Sequence, residues 1–168
     1  MDVNDLLLEQ YGRIPDLVRS AVDGLSAEDL ARPPASGANT IGWLTWHLTR
    51  VMDHHVSELL EEEQAWVGGD FAGRFGLDPD PDATGYGDDP DDVLKVRPDG
   101  PEAVTDYLDA VWDRTRDYLS HLHPDDLDDV VDERWDPPVT RGVRLVSVVD
   151  DCAQHAGQAA YVRGLLGR

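Results

Sequence analysis

The sequence predicts an all-α protein, a four-helix bundle with a long crossover between its second and third helices. Three observations carry that expectation. Four stretches repeat their apolar residues with helical period, no series of strands with regular turn spacing is present, and residues 68–100 form a Gly-, Pro- and Asp-rich segment without periodicity.

Each element follows from its own residues. From about 3 to 23, Leu6, Leu7, Ile14, Leu17, Val18 and Val22 recur at spacings of three, four and seven, which predicts a first helix kinked at Pro15. Ser26, followed by Glu28 and Asp29, caps a short connecting turn before Pro33 and Pro34. Asn39 or Thr40 caps the second helix. Its stripe is Ile41, Leu44, Leu48, Val51, Met52, His55 and Leu59, running towards Trp66 and ending before Gly68. A crossover as long as the one that follows is usually functional or partly mobile, and short helical pieces are expected near 71–75 and 91–96. Pro101 opens the third helix, with Val104, Leu108, Val111, Trp112, Thr115 and Leu119 on one side, and it stops near Pro124. Between 125 and 142 breakers dominate, and only 130–135 reads as extended. Residues 143–166 form the fourth helix, whose apolar face of Leu145, Val148, Val149, Cys152, Ala156, Ala159 and Leu165 is mostly small.

Composition bounds the function. A chain of 168 residues suits one domain with a sizeable core. Its 35 acidic residues against 14 basic ones leave a formal charge of -21, which repels phosphate backbones and anionic lipid, so neither nucleic acid nor membrane is an expected partner. Cys152 is the one cysteine, which excludes an internal disulfide and a thiolate cluster for metal. The start of the chain lacks the pattern of a signal peptide, and a cytoplasmic location is expected.

Chemistry gathers on the second and fourth helices. Asp151 and His155 are four residues apart, which places a carboxylate and an imidazole on one helix face, the spacing two metal ligands on one helix require. That line borders the apolar stripe, so both side chains can point into a bundle interior. On the second helix His47, Val51, His54 and Glu58 make a similar line. Ionisable groups beside a core must be satisfied, and a metal would do so. His47, Asp151 and His155 would make a two-histidine, one-carboxylate set compatible with Zn(II), Fe(II), Ni(II) or Mn(II), open to water or substrate. The same spacing also occurs in ordinary surface pairs, so an Asp151–His155 pair without metal is the alternative. His54 is a candidate supporting or substrate-contacting group, His55 belongs to the packed stripe, and Glu58 is solvated.

Other signals carry less. Asp78, Asp80, Asp82 and Asp89 match positions of a calcium loop, but Ala83 replaces the required glycine and prolines intervene. Cys152 is rotated into the apolar stripe and reads as a small inert hydrophobe. Phosphate-cradling, zincin and serine-hydrolase motifs are absent.

The stretch Ile41-Gly42-Trp43-Leu44-Thr45-Trp46-His47-Leu48 and the later Gln154-His155-Ala156-Gly157-Gln158 resemble the two diagnostic motifs of the DinB/YfiT-like superfamily of metalloenzymes. That superfamily includes mycothiol-dependent maleylpyruvate isomerase and the bacillithiol and mycothiol S-transferases. The resemblance implies a DinB-like bundle whose metal is held by one histidine of the second helix and a pair four apart on the fourth. By motif position these are His47, Asp151 and His155. Many members have histidine first in that pair, and the isomerase branch has glutamate. Here it is aspartate, one methylene shorter. Residues 132–139, Asp-Glu-Arg-Trp-Asp-Pro-Pro-Val, resemble an uncharacterised actinobacterial DinB-like subgroup.

The implied activity is a metal-dependent S-transferase or isomerase that uses a low molecular weight thiol of the mycothiol kind. A divalent metal, zinc first, with nickel, iron or manganese as alternatives, would activate the thiol for attack on a small electrophile. Arg144, one heptad before Asp151, is the candidate for catalytic and cosubstrate-binding contacts because its fork matches carboxylates; an ion pair with Asp151 or another acidic neighbour is the alternative. His54 completes the candidate catalytic set. Trp43 and Trp46 turn outward on the helical wheel, towards the crossover or the first helix. A metal-dependent hydrolase, or a stress-associated bundle that binds without chemistry, are the other readings. Small residues on the fourth helix permit a homodimer without requiring one.

Overall fold

Asp2 and Asp5 form a capping box, in which Asp2 accepts from the Asp5 N–H at 2.9 Å and Asp5 from the Asp2 N–H at 3.2 Å, and helix α1 runs from Val3 to Val22. The computed structural model describes residues 1–168. α1 continues unbroken through the buried Pro15, whose missing N–H leaves the Tyr11 carbonyl without its helical donor. Thr40, not Asn39, caps α2 (Ile41–Leu60), its hydroxyl accepting from the Trp43 N–H at 3.0 Å. α2 ends short of Trp66 because Glu61 turns into the left-handed region, with φ 56°. Residues Ala65–Gly68 make a separate turn, anchored by the carboxylate of Asp53, which accepts from the N–H groups of Ala65 and Trp66 at 2.9 and 2.8 Å. Pro101 starts α3 (Pro101–His121). Strands β1 (Val130–Asp132) and β2 (Val139–Thr140) pair antiparallel, and Thr140 then caps α4 (Arg141–Leu165).

The long helices form a four-helix bundle in which α1 packs on α3 and α4, and α2 on the same two, so that α1 and α2 face each other across a diagonal. The core runs through Tyr11, Ile14 and Val18 of α1, Leu44, Leu48 and Met52 of α2, Leu108 and Val111 of α3, and Leu145 and Cys152 of α4. The small residues Cys152, Ala156 and Ala159 let α4 lie close against α2. The Cys152 thiol donates to the Leu48 carbonyl at 3.3 Å, and burial raises its pKa well above the usual thiol value, so it is packed and unreactive as expected.

The crossover from α2 to α3 folds onto the outer flank of α2. Trp66 and Phe75 insert beside Tyr107 of α3, with ring centroids 5.2 and 6.0 Å from it. The single turns expected from sequence are present as Ala72–Phe75 and Pro90–Val93. Asp89, the last position of the rejected calcium loop, instead caps the second of these by accepting from the N–H groups of Asp91 and Asp92. Because the crossover covers the flank that a simple bundle would expose, residues 41–50 of α2 are buried without exception. No helix is long and apolar enough to cross a membrane.

Candidate metal centre

The close approach of α2 and α4 brings His47 to Asp151 and His155. His47 Nε2 lies 3.9 Å from Asp151 Oδ2, the same oxygen lies 3.4 Å from His155 Nδ1, and the two imidazole centroids are 4.6 Å apart. One ligand atom from each residue falls within 4.8 Å of the others.

Hydrogen bonds fix which ring nitrogens are free. His47 Nδ1 is 2.6 Å from the Thr84 carbonyl, which can only accept, so Nδ1 carries the proton and Nε2 keeps its lone pair. His155 Nδ1 is likewise 2.9 Å from the backbone carbonyl of Asp151, leaving its Nε2 unprotonated in the neutral ring. Burial lowers the pKa of His47, only partly opposed by the Thr84 bond, and holds the ring neutral as a ligand must be. Burial also disfavours charge on His155, but the side chain and carbonyl of Asp151 outweigh it and raise that pKa.

The donor set fits a divalent cation. Asp151 Oδ2 is buried and accepts no hydrogen bond, a costly state for a carboxylate oxygen that a bound cation would relieve. Two imidazoles with one carboxylate suit the borderline-soft divalent metals.

A roof encloses the centre from the crossover side. Trp43 stacks on His47, and its Nε1 donates to Asp88 Oδ2 at 2.9 Å. Gly85 passes directly over both rings at φ +90°, and a Cβ there would stand 2.8 Å from His47 Nδ1 and 3.2 Å from Trp43. Only glycine fits that backbone and that gap. Trp43 and Trp46, outward on the wheel, are therefore buried under the crossover.

Beside His47 and Asp151 opens a cavity of about 380 Å³, walled by Val51, His54 and His55 of α2, Asp82, Thr84 and Tyr86 of the crossover, and Arg144, Ser147 and Val148 of α4. His54 Nδ1 accepts from the Gln64 amide at 3.2 Å, which puts its own proton on Nε2. Arg144 pairs with Asp132 of β1, Nη2 to Oδ2 at 3.1 Å, and not with Asp151. Its Nη1 lies 3.2 and 3.3 Å from the two ring nitrogens of His55, which sets the guanidinium against the ring. His55 thus lines the cavity where a packed stripe residue was expected, because Arg144 fills the space between α2 and α4 there. Burial, then Arg144 and His54, push its pKa down to about 4. His54, His55 and Glu58 also lie close enough to share an ion, but the Arg144 charge against His55 disfavours a cation there.

Sequence reasoning missed a second group of residues. Arg50, fully buried, holds the crossover by donating from Nε to the Ala83 carbonyl at 3.0 Å and from Nη2 to the Pro81 carbonyl at 3.0 Å. Asp53 neutralises it at 3.5 Å, and the Tyr107 hydroxyl donates to Asp53 at 2.8 Å. No pattern marked them, because Arg50 and Asp53 stand among other polar residues of α2, with His47, Thr49, His54 and His55 close by in sequence.

Comparison with known proteins agrees with the architecture. A protein titled "conserved protein of locus from Enterococcus faecalis" has a crystal structure that superposes with a TM-score of 0.91 at 32% identity, covering 100% of this chain and 99% of that one. Among curated proteins none matches this chain. The model of the Mycothiol-S-transferase family matches residues 12–167, and the chain belongs to that family.

Proposed function

We propose that the protein is a metal-dependent thiol S-transferase, with His47, Asp151 and His155 as the ligands of one divalent metal, zinc first, and a low molecular weight thiol of the mycothiol kind as cosubstrate. The observation that carries this reading is the buried, unpartnered Asp151 oxygen between two histidines at the edge of a cavity. When bound, the metal lowers the pKa of a thiol so that thiolate is present at neutral pH.

The remaining tasks fall to the chain. Thr84 and the Asp151 carbonyl hold the two rings with Nε2 free. Trp43 and Gly85 close the side away from the cavity and keep water off His47. His54, protonated on Nε2, is a donor for the oxygen or leaving group of the electrophile. Arg144 uses Nη2 on Asp132 and offers its remaining donors to anionic groups of the thiol or the electrophile.

The test starts from untagged protein. Metal analysis should find about one equivalent, and conjugation of monochlorobimane should accelerate with mycothiol over bacillithiol or glutathione and be lost in His47→Ala. Metal-free wild type overturns the reading. Full metal content without acceleration by any thiol transfers the site to hydrolysis by bound water.

A further inference from the structure

We infer that Arg50 is a positioning residue for the metal centre: through the crossover it places the Thr84 carbonyl that sets the orientation and tautomer of His47. The inference rests on the metal reading above, but its central measurement is made on metal-free protein.

The chain of contacts is short. Arg50 lies one turn beyond His47 on α2 and is itself fully buried. Two of its nitrogens grip the carbonyls of Pro81 and Ala83, and Nη2 also donates to Gln64 Oε1 at 2.9 Å. Gln64 Nε2 in turn donates to the same Pro81 carbonyl at 3.2 Å. The next residue after Ala83 is Thr84, whose carbonyl takes the His47 Nδ1 proton at 2.6 Å, and Gly85 follows against the His47 ring. One guanidinium therefore fixes two carbonyls immediately upstream of the one that His47 needs.

The arrangement is specific to arginine. Its planar fork reaches two carbonyls and the Gln64 amide oxygen at once, whereas a lysine ammonium on the same stem is a single point of donation. Asp53 supplies the balancing charge, and the Arg50 guanidinium also stands 5.2 Å from the centre of the Trp66 ring. A network this saturated holds its segment in one place. Freed from it, the 81–85 segment would carry Thr84 away from His47, and the ring would exchange between tautomers. A ligand ring that has lost its supporting hydrogen bond typically binds metal ~10- to 100-fold more weakly.

The experiment compares wild type, Arg50→Lys and Tyr107→Phe. Long-range nitrogen–proton NMR of the imidazoles, on metal-free protein at alkaline pH, reads the His47 tautomer directly, and competition with a chelator reads zinc affinity. Wild type should show His47 protonated on Nδ1. Arg50→Lys should shift it towards the Nε2–H form and weaken zinc by ~10-fold or more. Tyr107→Phe removes the hydrogen bonds to Asp53 and Arg50 but leaves both crossover carbonyls gripped; it should lower thermal stability without moving His47. Should Arg50→Lys not fold, Arg50→Gln, too short to reach both the Pro81 and Ala83 carbonyls and free of buried charge, takes its place and should shift the tautomer in the same direction. An unchanged His47 tautomer in a folded Arg50→Lys, or an equal shift in Tyr107→Phe, overturns the inference. Failure of wild type to bind zinc would sink the metal reading alone, because the tautomer measurement needs no metal.

Discussion

The indole of Trp43 lies flat against the imidazole of His47, with ring centroids 4.7 Å apart and planes 8° from parallel. The contact joins a packing residue to a proposed ligand four positions on, so the helix itself enforces the stack. The far end of the indole is tied to Asp88, and the Trp43 ring also meets His155 edge-on at 6.1 Å. Trp43 therefore touches both histidines of the centre.

Trp43→Leu should consequently damage binding more than its effect on folding would suggest. It removes a buried ring and one hydrogen bond, a cost of about 2 to 4 kcal/mol in stability. It also frees the His47 ring, and zinc affinity should drop ~10-fold. Urea unfolding and chelator competition separate the two effects. Unchanged zinc affinity in a destabilised variant would reduce Trp43 to a core residue.

Asp151 makes a sharper prediction. Asp151→Asn keeps the shape but exchanges the anionic oxygen for a neutral amide, and metal content of purified protein should fall well below one equivalent. Asp151→Glu and Asp151→His restore donors of the kinds the DinB-like resemblance implies, and both should retain metal. Elemental analysis of the three proteins decides it. Loading by Asp151→Asn equal to wild type would mean that the unpartnered oxygen serves no metal.

How much of this was legible depends on where the information sits. Helical period alone marked all four long helices, because each buries one stripe against its neighbours. The spacing of Asp151 and His155 marked two of the three residues of the candidate centre for the same reason: two residues four apart share a helix face. The wheel turned Trp43 and Trp46 outward, where the crossover buries them, but it could not choose between the crossover and the first helix, since it knows only the bundle. Arg50 was invisible for a related reason. Its carbonyl partners are 31 and 33 residues downstream, in a segment with no period to read. Likewise, the end of α2 follows from a left-handed backbone at Glu61, which no apolar pattern announces. Arg144 was placed on the right face, yet its ion-pair partner comes from a two-strand ribbon whose register the sequence hardly marks.

The pH dependence of stability tests the cavity wall. His55 is flanked by Arg144, His54 and Glu58, and its folded pKa of about 4 lies below the value near 6.5 of an unfolded histidine. Between those values the unfolded chain binds a proton that the folded chain refuses, so stability falls as pH drops from about 6.5 to about 4 and is fully present above that window. His155 has the opposite sign: its pKa is raised, so its contribution is present below about 6.5 and fades as pH rises through the folded value. In metal-free protein, His55→Asn should remove of the order of 2 kcal/mol from the loss seen between pH 7 and 4.5. Denaturant unfolding at both pH values measures it, and parallel curves for variant and wild type would show that His55 is not held neutral.

Arg144 separates thiol recognition from metal retention. It does not touch Asp151, and its fixed partner is Asp132, which also receives two bonds of 2.8 Å from Arg134. Arg144→Met keeps the length of the stem and leaves Asp132 still paired, so zinc content should equal wild type. What is lost is the charge and the donor capacity of the guanidinium beside the cavity. A charge-assisted hydrogen bond to an anionic group is worth about 1.5 to 3 kcal/mol, so KM for the thiol or the electrophile should rise ~10-fold or more at saturating partner. Arg144→Lys should recover little of it, because a single ammonium cannot hold Asp132 and a ligand in the same plane. An Arg144→Met enzyme with wild-type KM for both substrates would assign the guanidinium to the Asp132 ribbon alone. Loss of zinc in that variant would instead tie the ribbon to the metal through His55.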